Sequence, residues 1–455
     1  MNLSLGQGAI LTYLAAVLLL GGASAAGFGA NGLLEIAGAG LMAWIWWKRP
    51  GTAATRTGLR LFLAALALIA AIQFLPLPPA LWTLMPGRAA IASGFELARM
   101  PLPWLTLSLD PWSTLQSLVW WIPALALFMA MRSSHAPSTR HAVWVIGAVA
   151  YASVLMAGLQ VYQNTGYVYT VTNRGNGVGA FSNSNHFGTF MLMAIALIAA
   201  QWLHDSRDNW ADKKALARPL QLSALLAPLV IGVFLSNSLA CILLLIPMIC
   251  GVYLLARPEL TLRWPWLLAG GLLFSVGLAW LLASGLVAND LMNTSATAGI
   301  SRGEFLRNGL RILADFAPFG SGLGTFRELY PWYEDHAQVG TTYANHAHND
   351  LLELLIEKGV FGLVLVLLFA RWFASTAWNL WHGFRREHRV ALGSTLAIAA
   401  VMAHSLVDYP LRTAAISSLI ALCCVVARRP AEVPGAKPHR AAETGAGKRE
   451  EMLQI

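Results

Sequence analysis

Apolar stretches long enough to cross a bilayer recur along almost the whole chain. They fall at about 9–29, 30–47, 59–79, 115–131, 142–162, 187–203, 219–236, 238–256, 265–284, 350–370, 390–408 and 410–427. A spanning helix takes roughly 17 to 25 residues, because each adds about 1.5 Å against a hydrocarbon core of about 30 Å. No water reaches that core, so each run must satisfy its own backbone polar groups, which a helix does. The expected fold class is an all-α polytopic membrane protein with about twelve transmembrane helices and one large polar loop, 285–349, carrying short surface helices. Composition agrees: with 57% hydrophobic and 12% charged residues and a mean hydropathy of +0.58, the apolar surface exceeds what a soluble core can hide.

Lys and Arg set the orientation, since they collect in cytoplasmic connections. With a cytoplasmic N-terminus, the connections on that side and the C-terminal tail hold 22 of the 31 basic residues. Both termini are therefore expected inside, and the loops 80–114, 163–186 and 285–349 outside. The net charge of +9 then reflects topology and implies no nucleic acid.

The organisation reads as one membrane domain over 1–427 and a disordered cytoplasmic tail over 428–455, where Pro, Gly, Ala and charge leave too little apolar surface to fold. Cys241, Cys250, Cys423 and Cys424 fall inside expected spans, without metal-ligand spacing, and read as small packing residues. The first apolar run lacks a basic leader and is followed at once by a second, which argues against a cleavable signal.

The chemistry-bearing residues concentrate where the polar loop meets the tenth run: His346-Ala347-His348-Asn349-Asp350, then Leu351 to Gly359. Titratable groups at the edge of a membrane helix are costly and mark function. Asp350, Glu353 and Glu357 stand at i, i+3 and i+7, on one helical face. Asp350 with Glu353 also fits a capping box, a purely structural role. Glu357, two turns in, where an unpaired carboxylate is costly, calls for an Arg partner or a role in holding a site residue. His346 and His348 titrate near neutrality and suit proton abstraction from a hydroxyl.

Arg302, Arg307, Arg311 and Arg327 offer forks suited to phosphate oxygens, or to lipid head groups or the loop carboxylates Glu304, Asp315 and Glu328. The first three lie in an amphipathic pattern over 301–316, expected as a helix at the membrane surface. The string Gly320-Ser321-Gly322-Leu323-Gly324 reads as a turn, with an anion nest as the alternative. Two further clusters are polar: Arg174 to Phe187, including Asn185 and His186, and His404 to Arg412, where His404 and Asp408 at i, i+4 read as an ion pair.

Taken together, Asn-x-Asn-His-Phe before a span, Arg and then Pro-Phe-Gly-x-Gly-Leu-Gly-Thr-Phe, Ala-His-Asn-Asp-x-Leu-x-x-x-x-Glu-x-Gly, and His-Ser-Leu-Val-Asp-Tyr-Pro-Leu resemble the O-antigen ligase and polysaccharide polymerase family over about 160–427. The resemblance implies a metal-independent, cofactor-free inverting glycosyltransferase in the bacterial inner membrane, with its site facing the periplasm. It would move a glycan from undecaprenyl diphosphate to a sugar hydroxyl, on another glycan or on lipid A core. His348 matches the family's essential histidine, Arg302 the basic residue ahead of the Gly-rich stretch, and Arg174 a further basic position. Asn237 stands where many members have Arg, which leaves Arg412 or Arg307 as candidate replacements in the diphosphate clamp. Asn349, Asp350 and Glu357 would place His348, and Asn185 and His186 would meet sugar hydroxyls. No acidic cluster in the outer loops has clear Mg²⁺ spacing.

Two rivals stay open. A protein O-oligosaccharyltransferase would differ only in acceptor. A lipid-linked glycan transporter would be expected to hold its ionisable groups near the bilayer midplane rather than at the outer interface.

Overall fold

The structure is a computed structural model that describes residues 3–24, 29–48, 57–165, 169, 176–206, 217–257, 274, 302–335 and 343–428. The expected span at 265–284, parts of the loop 285–349, Arg174 and the tail from 429 lie outside the described residues. So does the side chain of Arg302.

The chain runs α1 (Leu5–Leu20), α2 (Gly29–Trp47), α3 (Thr57–Ile72), β1 (Pro76–Leu77), α4 (Pro79–Trp82), α5 (Ala89–Leu97), β2 (Leu105–Thr106), α6 (Pro111–Val119), α7 (Ile122–Arg132), α8 (Thr139–Gln163), α9 (Ser184–Asp205), α10 (Ala217–Leu235) and α11 (Leu239–Ala256). After the undescribed stretch come α12 (Arg302–Phe316), α13 (Phe326–Leu329), α14 (Asp350–His382), α15 (Arg389–His404) and α16 (Ala414–Val426). Among the described residues five segments are long and apolar enough to cross a membrane: Pro111–Arg132, α8, α9, α10 and α11. Shorter apolar helices are α1, residues 60–72 of α3, and α16. α2, α14 and α15 are helical where further spans were expected.

The bundle is built around α9, which packs against α8, α10, α11 and α15 and buries nearly every side chain. It has no polar face, so it can only be central. Close approach of α15 depends on Gly393: a Cβ there would lie 2.4 Å from the Ala200 Cβ and 2.8 Å from the Ala196 carbonyl. Small residues at such a crossing let two backbones meet where lipid supplies no hydrophobic drive. Outward-facing Leu155, Ile231, Phe234 and Leu367 are exposed, as a lipid-facing surface requires.

Several expected spans end short of their predicted limits. α1 stops at Gly21, and the following residues bridge Gly22 to Phe181 in parallel pairing, which carries Ser24 inward. The expected outer loop 80–114 is ordered: β1 pairs antiparallel with β2, and the buried Arg88 donates to the carbonyls of Thr106 and Leu107. Burial pushes that guanidinium down to about 10. This hairpin region grips the Gly-rich string, with Leu109 N donating to Ser321 O at 2.8 Å and Thr114 Oγ1 to Leu323 O at 2.8 Å.

The amphipathic helix over 301–316 forms as α12. Its apolar face does not lie on an outer surface, however: Phe305, Ile312 and Phe316 are buried in one cluster with Leu352 and Ile356 of α14. Leu306 and Leu310 remain half exposed.

Candidate active site

α14 is two helices in one. At Gly359 the backbone swings to φ +53°, ψ −135°, and this frees the carbonyls of Ile356 and Glu357 from helical pairing. The Gly-rich string takes them: Ser321 N donates to Ile356 O at 3.0 Å and Gly322 N to Glu357 O at 2.9 Å, while Val360 N returns a bond to Pro318 O at 2.8 Å. Gly320 N donates to Phe316 O at 2.9 Å and Leu323 N to Gln73 Oε1 at 3.2 Å, so four of the string's amides are engaged within the protein, which favours the turn over the anion nest. The kink sets a short rigid segment, Asp350–Lys358, off from the rest of the helix.

Asn349 caps that segment, its side chain accepting from Leu352 N at 2.9 Å, and it also donates to Leu406 O at 2.8 Å. The capping box expected of Asp350 and Glu353 is absent, since Asp350 is the first helical residue and the cap lies one residue earlier. Both carboxylates are free for the site. Asp350, Glu353 and Glu357 share one face as their spacing predicts, and all three meet Arg412, at 3.7, 3.4 and 3.2 Å. Asp350 also accepts from the Ser405 hydroxyl at 2.8 Å and from Leu411 N at 3.2 Å. Glu357 finds the Arg partner its depth demanded, and Arg412 is committed to neutralising acids.

His346 packs against this cluster with both ring nitrogens engaged. Nδ1 lies 2.8 Å from Glu353 Oε1 and Nε2 lies 3.1 Å from Ser24 O. The other Glu353 oxygen accepts from Ala347 N at 2.8 Å. Two acceptors on one imidazole favour the doubly protonated ring. Burial pushes the His346 pKa down, but the Glu353 charge and hydrogen bond outweigh it and leave it raised.

His348 is arranged differently. Its backbone takes φ +51°, a strained conformation for a residue with a Cβ. Its side chain is 19% exposed, with Nδ1 3.6 Å from Asp408 Oδ1, and no described residue hydrogen-bonds its Nε2. Asp408 is fully buried and shared: His186 Nε2 stands at 3.9 Å and His404 Nε2 at 4.0 Å. Burial pushes the Asp408 carboxyl up, yet its contacts with His348, His186 and His404 hold it well below the usual carboxylate range. The expected His404–Asp408 pair is therefore one part of a larger cluster. Tyr409 lies among these rings, with centroids 4.5 Å from His346, 4.8 Å from His348 and 4.9 Å from His186, and Phe305 covers His348 at 4.9 Å.

A cavity of about 760 Å³ opens beside His346, Glu353, Glu357 and Arg412 and extends to Trp112, Trp120 and Trp121 at the α6–α7 break. Arg327 lies on its wall, 4.5 Å over the Tyr343 ring.

The structure thus brings together His346, His348, Asn349, Asp350, Glu357, His186 and Arg412. Asn185 contributes through its backbone, its carbonyl accepting from Thr189 Oγ1 at 2.9 Å, while Asn183 caps α9. Arg307 is exposed on α12. Asn237 takes φ +50° and donates to Asn176 Oδ1 at 3.2 Å. Sequence reasoning missed Ser24, which acts through a backbone carbonyl and leaves no mark, and the three tryptophans. It also missed the reach of Asp408 to His348 across 60 residues, although both stood in noted motifs.

No curated protein matches the chain. Residues 224–367, which hold His346, His348 and all three carboxylates, match the family model described as Wzy_C, O-Antigen ligase. Over that stretch this apolar helical chain is similar to the O-antigen ligase family, which agrees with the resemblance carried by its motifs.

Proposed function

We propose that the protein is a glycosyltransferase of the bacterial inner membrane, working on the periplasmic face, that moves a glycan from undecaprenyl diphosphate to a sugar hydroxyl. The acceptor is a second lipid-linked glycan or lipid A core. The observation that carries this is the contrast between the two histidines. His346 has both nitrogens occupied and is a cation fixed in place. His348 has Nδ1 3.6 Å from a buried carboxylate and an Nε2 without a hydrogen-bond partner among the described residues.

The Asp408 carboxylate stands 3.6 Å from Nδ1, beyond hydrogen-bond distance, and its charge favours a proton on that side, leaves the Nε2 lone pair free and stabilises the imidazolium that forms. His348 Nε2 accepts the acceptor's hydroxyl proton as that oxygen attacks the anomeric carbon. The bond from that carbon to the diphosphate oxygen breaks, the configuration inverts, and the diphosphate departs with both bonding electrons. That leaving group needs positive charge but little acid assistance. Arg412 is neutralised by three carboxylates, so the charge for the diphosphate is assigned to the arginines of α12, Arg302 and Arg307, with Arg174 as a further contributor.

The same site in a protein O-oligosaccharyltransferase would accept a Ser or Thr hydroxyl. A flippase would bind the donor and form no bond. Purified protein with undecaprenyl-diphosphate glycan and either a second lipid-linked glycan or lipid A core separates these. A lengthened or core-linked product supports the proposal, and donor translocation in vesicles without product removes it.

A further inference from the structure

We propose that the cavity of about 760 Å³ beside His346 is a subsite for an uncharged saccharide, and that the lipid diphosphate sits outside it. The proposal rests on the glycosyltransferase reading above and names what the cavity takes.

Three observations converge. The first is charge. The wall carries five carboxylates, Glu35, Asp110, Glu328, Glu353 and Glu357, against Arg327, Arg412 and the His346 imidazolium. A diphosphate entering that lining meets excess negative charge, while a neutral sugar is indifferent to it.

The second is the hydrogen-bonding deficit. Asn31 and Glu357 both line the cavity, and Asn31 Oδ1 and Glu357 Oε1 are buried with no partner among the described residues. The side chains are more than nine-tenths buried. Both are buried acceptors, an amide oxygen and the second oxygen of the carboxylate paired with Arg412, so the group that would complete their bonding is a donor. Sugar hydroxyls donate, and an ionised diphosphate has no proton to give. Leaving a buried acceptor unfilled destabilises the folded protein, a deficit that a bound hydroxyl removes.

The third is the opposite wall. The Pro111–Arg132 segment breaks between α6 and α7, and the break sets Trp120 and Trp121 on the cavity with Trp112 one helix earlier. A pyranose has one face of C–H groups that lies flat on an indole, while its hydroxyls point outward to polar groups, and aromatic walls with a few placed polar atoms are the usual make-up of a ligand pocket. Asn31 and the tryptophans lie outside residues 224–367, whereas Glu357 lies inside them with the histidines.

The test uses full-length protein labelled with 5-fluorotryptophan in detergent, with the three ¹⁹F resonances assigned through Trp112→Phe, Trp120→Phe and Trp121→Phe. The probes are the methyl glycosides of glucose, galactose, mannose and N-acetylglucosamine, with glucuronate and methylenediphosphonate as anions. At least one neutral glycoside should move all three resonances saturably, and more strongly than either anion. Asn31→Ala should raise the midpoint about fivefold or more, the loss of one buried hydrogen bond. Trp112 is exposed, so Trp112→Phe checks the wall without threatening the fold. Unmoved resonances for every glycoside, or a larger response to methylenediphosphonate, overturn the proposal. The readout is binding, so the same preparation assayed for transfer separates the two ideas. Transfer with silent tryptophans sinks only the subsite, and saccharide binding without transfer sinks only the enzyme.

Discussion

Arg412 reaches Glu357 at 3.2 Å across 55 residues of chain, joining the turn before α16 to the kinked start of α14. The pair closes a group in which Asp350 and Glu353 also lean on the same guanidinium. Three buried acids around one Arg can persist only because His346 adds a second cation and backbone amides fill other lone pairs.

Removing Arg412 leaves those acids without their shared partner. Breaking a buried ion pair from one side costs about 3 to 5 kcal/mol. Arg412→Ala should therefore lower the melting temperature in detergent sharply, and Arg412→Lys less so, since one ammonium cannot serve three carboxylates as a planar fork does. Adding Glu353→Gln to Arg412→Ala should recover part of the loss. A double variant less stable than Arg412→Ala would show that the arginine acts through packing instead.

Gly359 is the hinge on which the site segment turns. Its φ of +53° excludes a side chain without strain, and a Cβ there would stand 2.0 Å from Pro318 O, a backbone atom that cannot yield cheaply. Gly359→Ala should cost at least about 1 to 3 kcal/mol. Gly40→Ala, whose Cβ meets nothing within 4 Å inside α2, should be neutral or slightly stabilising. Equal melting temperatures for both variants would mean that the kink is not needed.

Much of this arrangement was legible in the sequence because helical periodicity is local. The spacing of Asp350, Glu353 and Glu357 placed them on one face, and the depth of Glu357 in an apolar run demanded an Arg. Partners set by tertiary contact left no such trace. Nothing in Ser24 announces that its carbonyl receives His346. Asp408 looked like half of an i, i+4 pair with His404, and only folding brings His348 and His186 to the same carboxylate. The Gly359 kink was unreadable for a different reason: an apolar run continues smoothly through it, and the backbone break depends on the Gly-rich string that docks there.

His346 gives the fold a pH signature. Its folded pKa is raised above the unfolded value of about 6.5, so the pairing with Glu353 stabilises fully below that value and is lost as pH rises through the folded pKa. The melting temperature should decline as pH rises from about 6.5 into the alkaline range. His346→Gln, which keeps a donor for Glu353 but cannot titrate, should flatten that decline. An unchanged slope in the variant would assign the pH dependence to other groups.

Sidedness is testable without any substrate. The segregation of basic residues predicts that a reporter fused after Asn289 behaves as periplasmic and one fused after Arg386 as cytoplasmic. The opposite pattern would place the His346–His348 turn on the cytoplasmic side, away from where the proposed reaction runs.

The sharpest prediction concerns His348 and Asp408 together. If Nε2 of His348 takes the acceptor proton, His348→Ala should lose 10²- to 10⁴-fold in kcat while donor binding stays near that of the unaltered protein. Asp408→Asn keeps the shape of a fully buried side chain but removes the charge at Nδ1. It should lower kcat while leaving KM for the donor nearly unchanged, because the imidazolium that forms during transfer loses its counter-charge. His346→Gln should be milder, since that ring has no free nitrogen with which to accept a proton. The measurement is single-turnover transfer from undecaprenyl-diphosphate glycan by purified variants, with and without EDTA. Robust product from His348→Ala would remove His348 from the reaction, a kcat unmoved by Asp408→Asn would reduce Asp408 to a structural anchor, and activity abolished by EDTA would require a metal in the scheme.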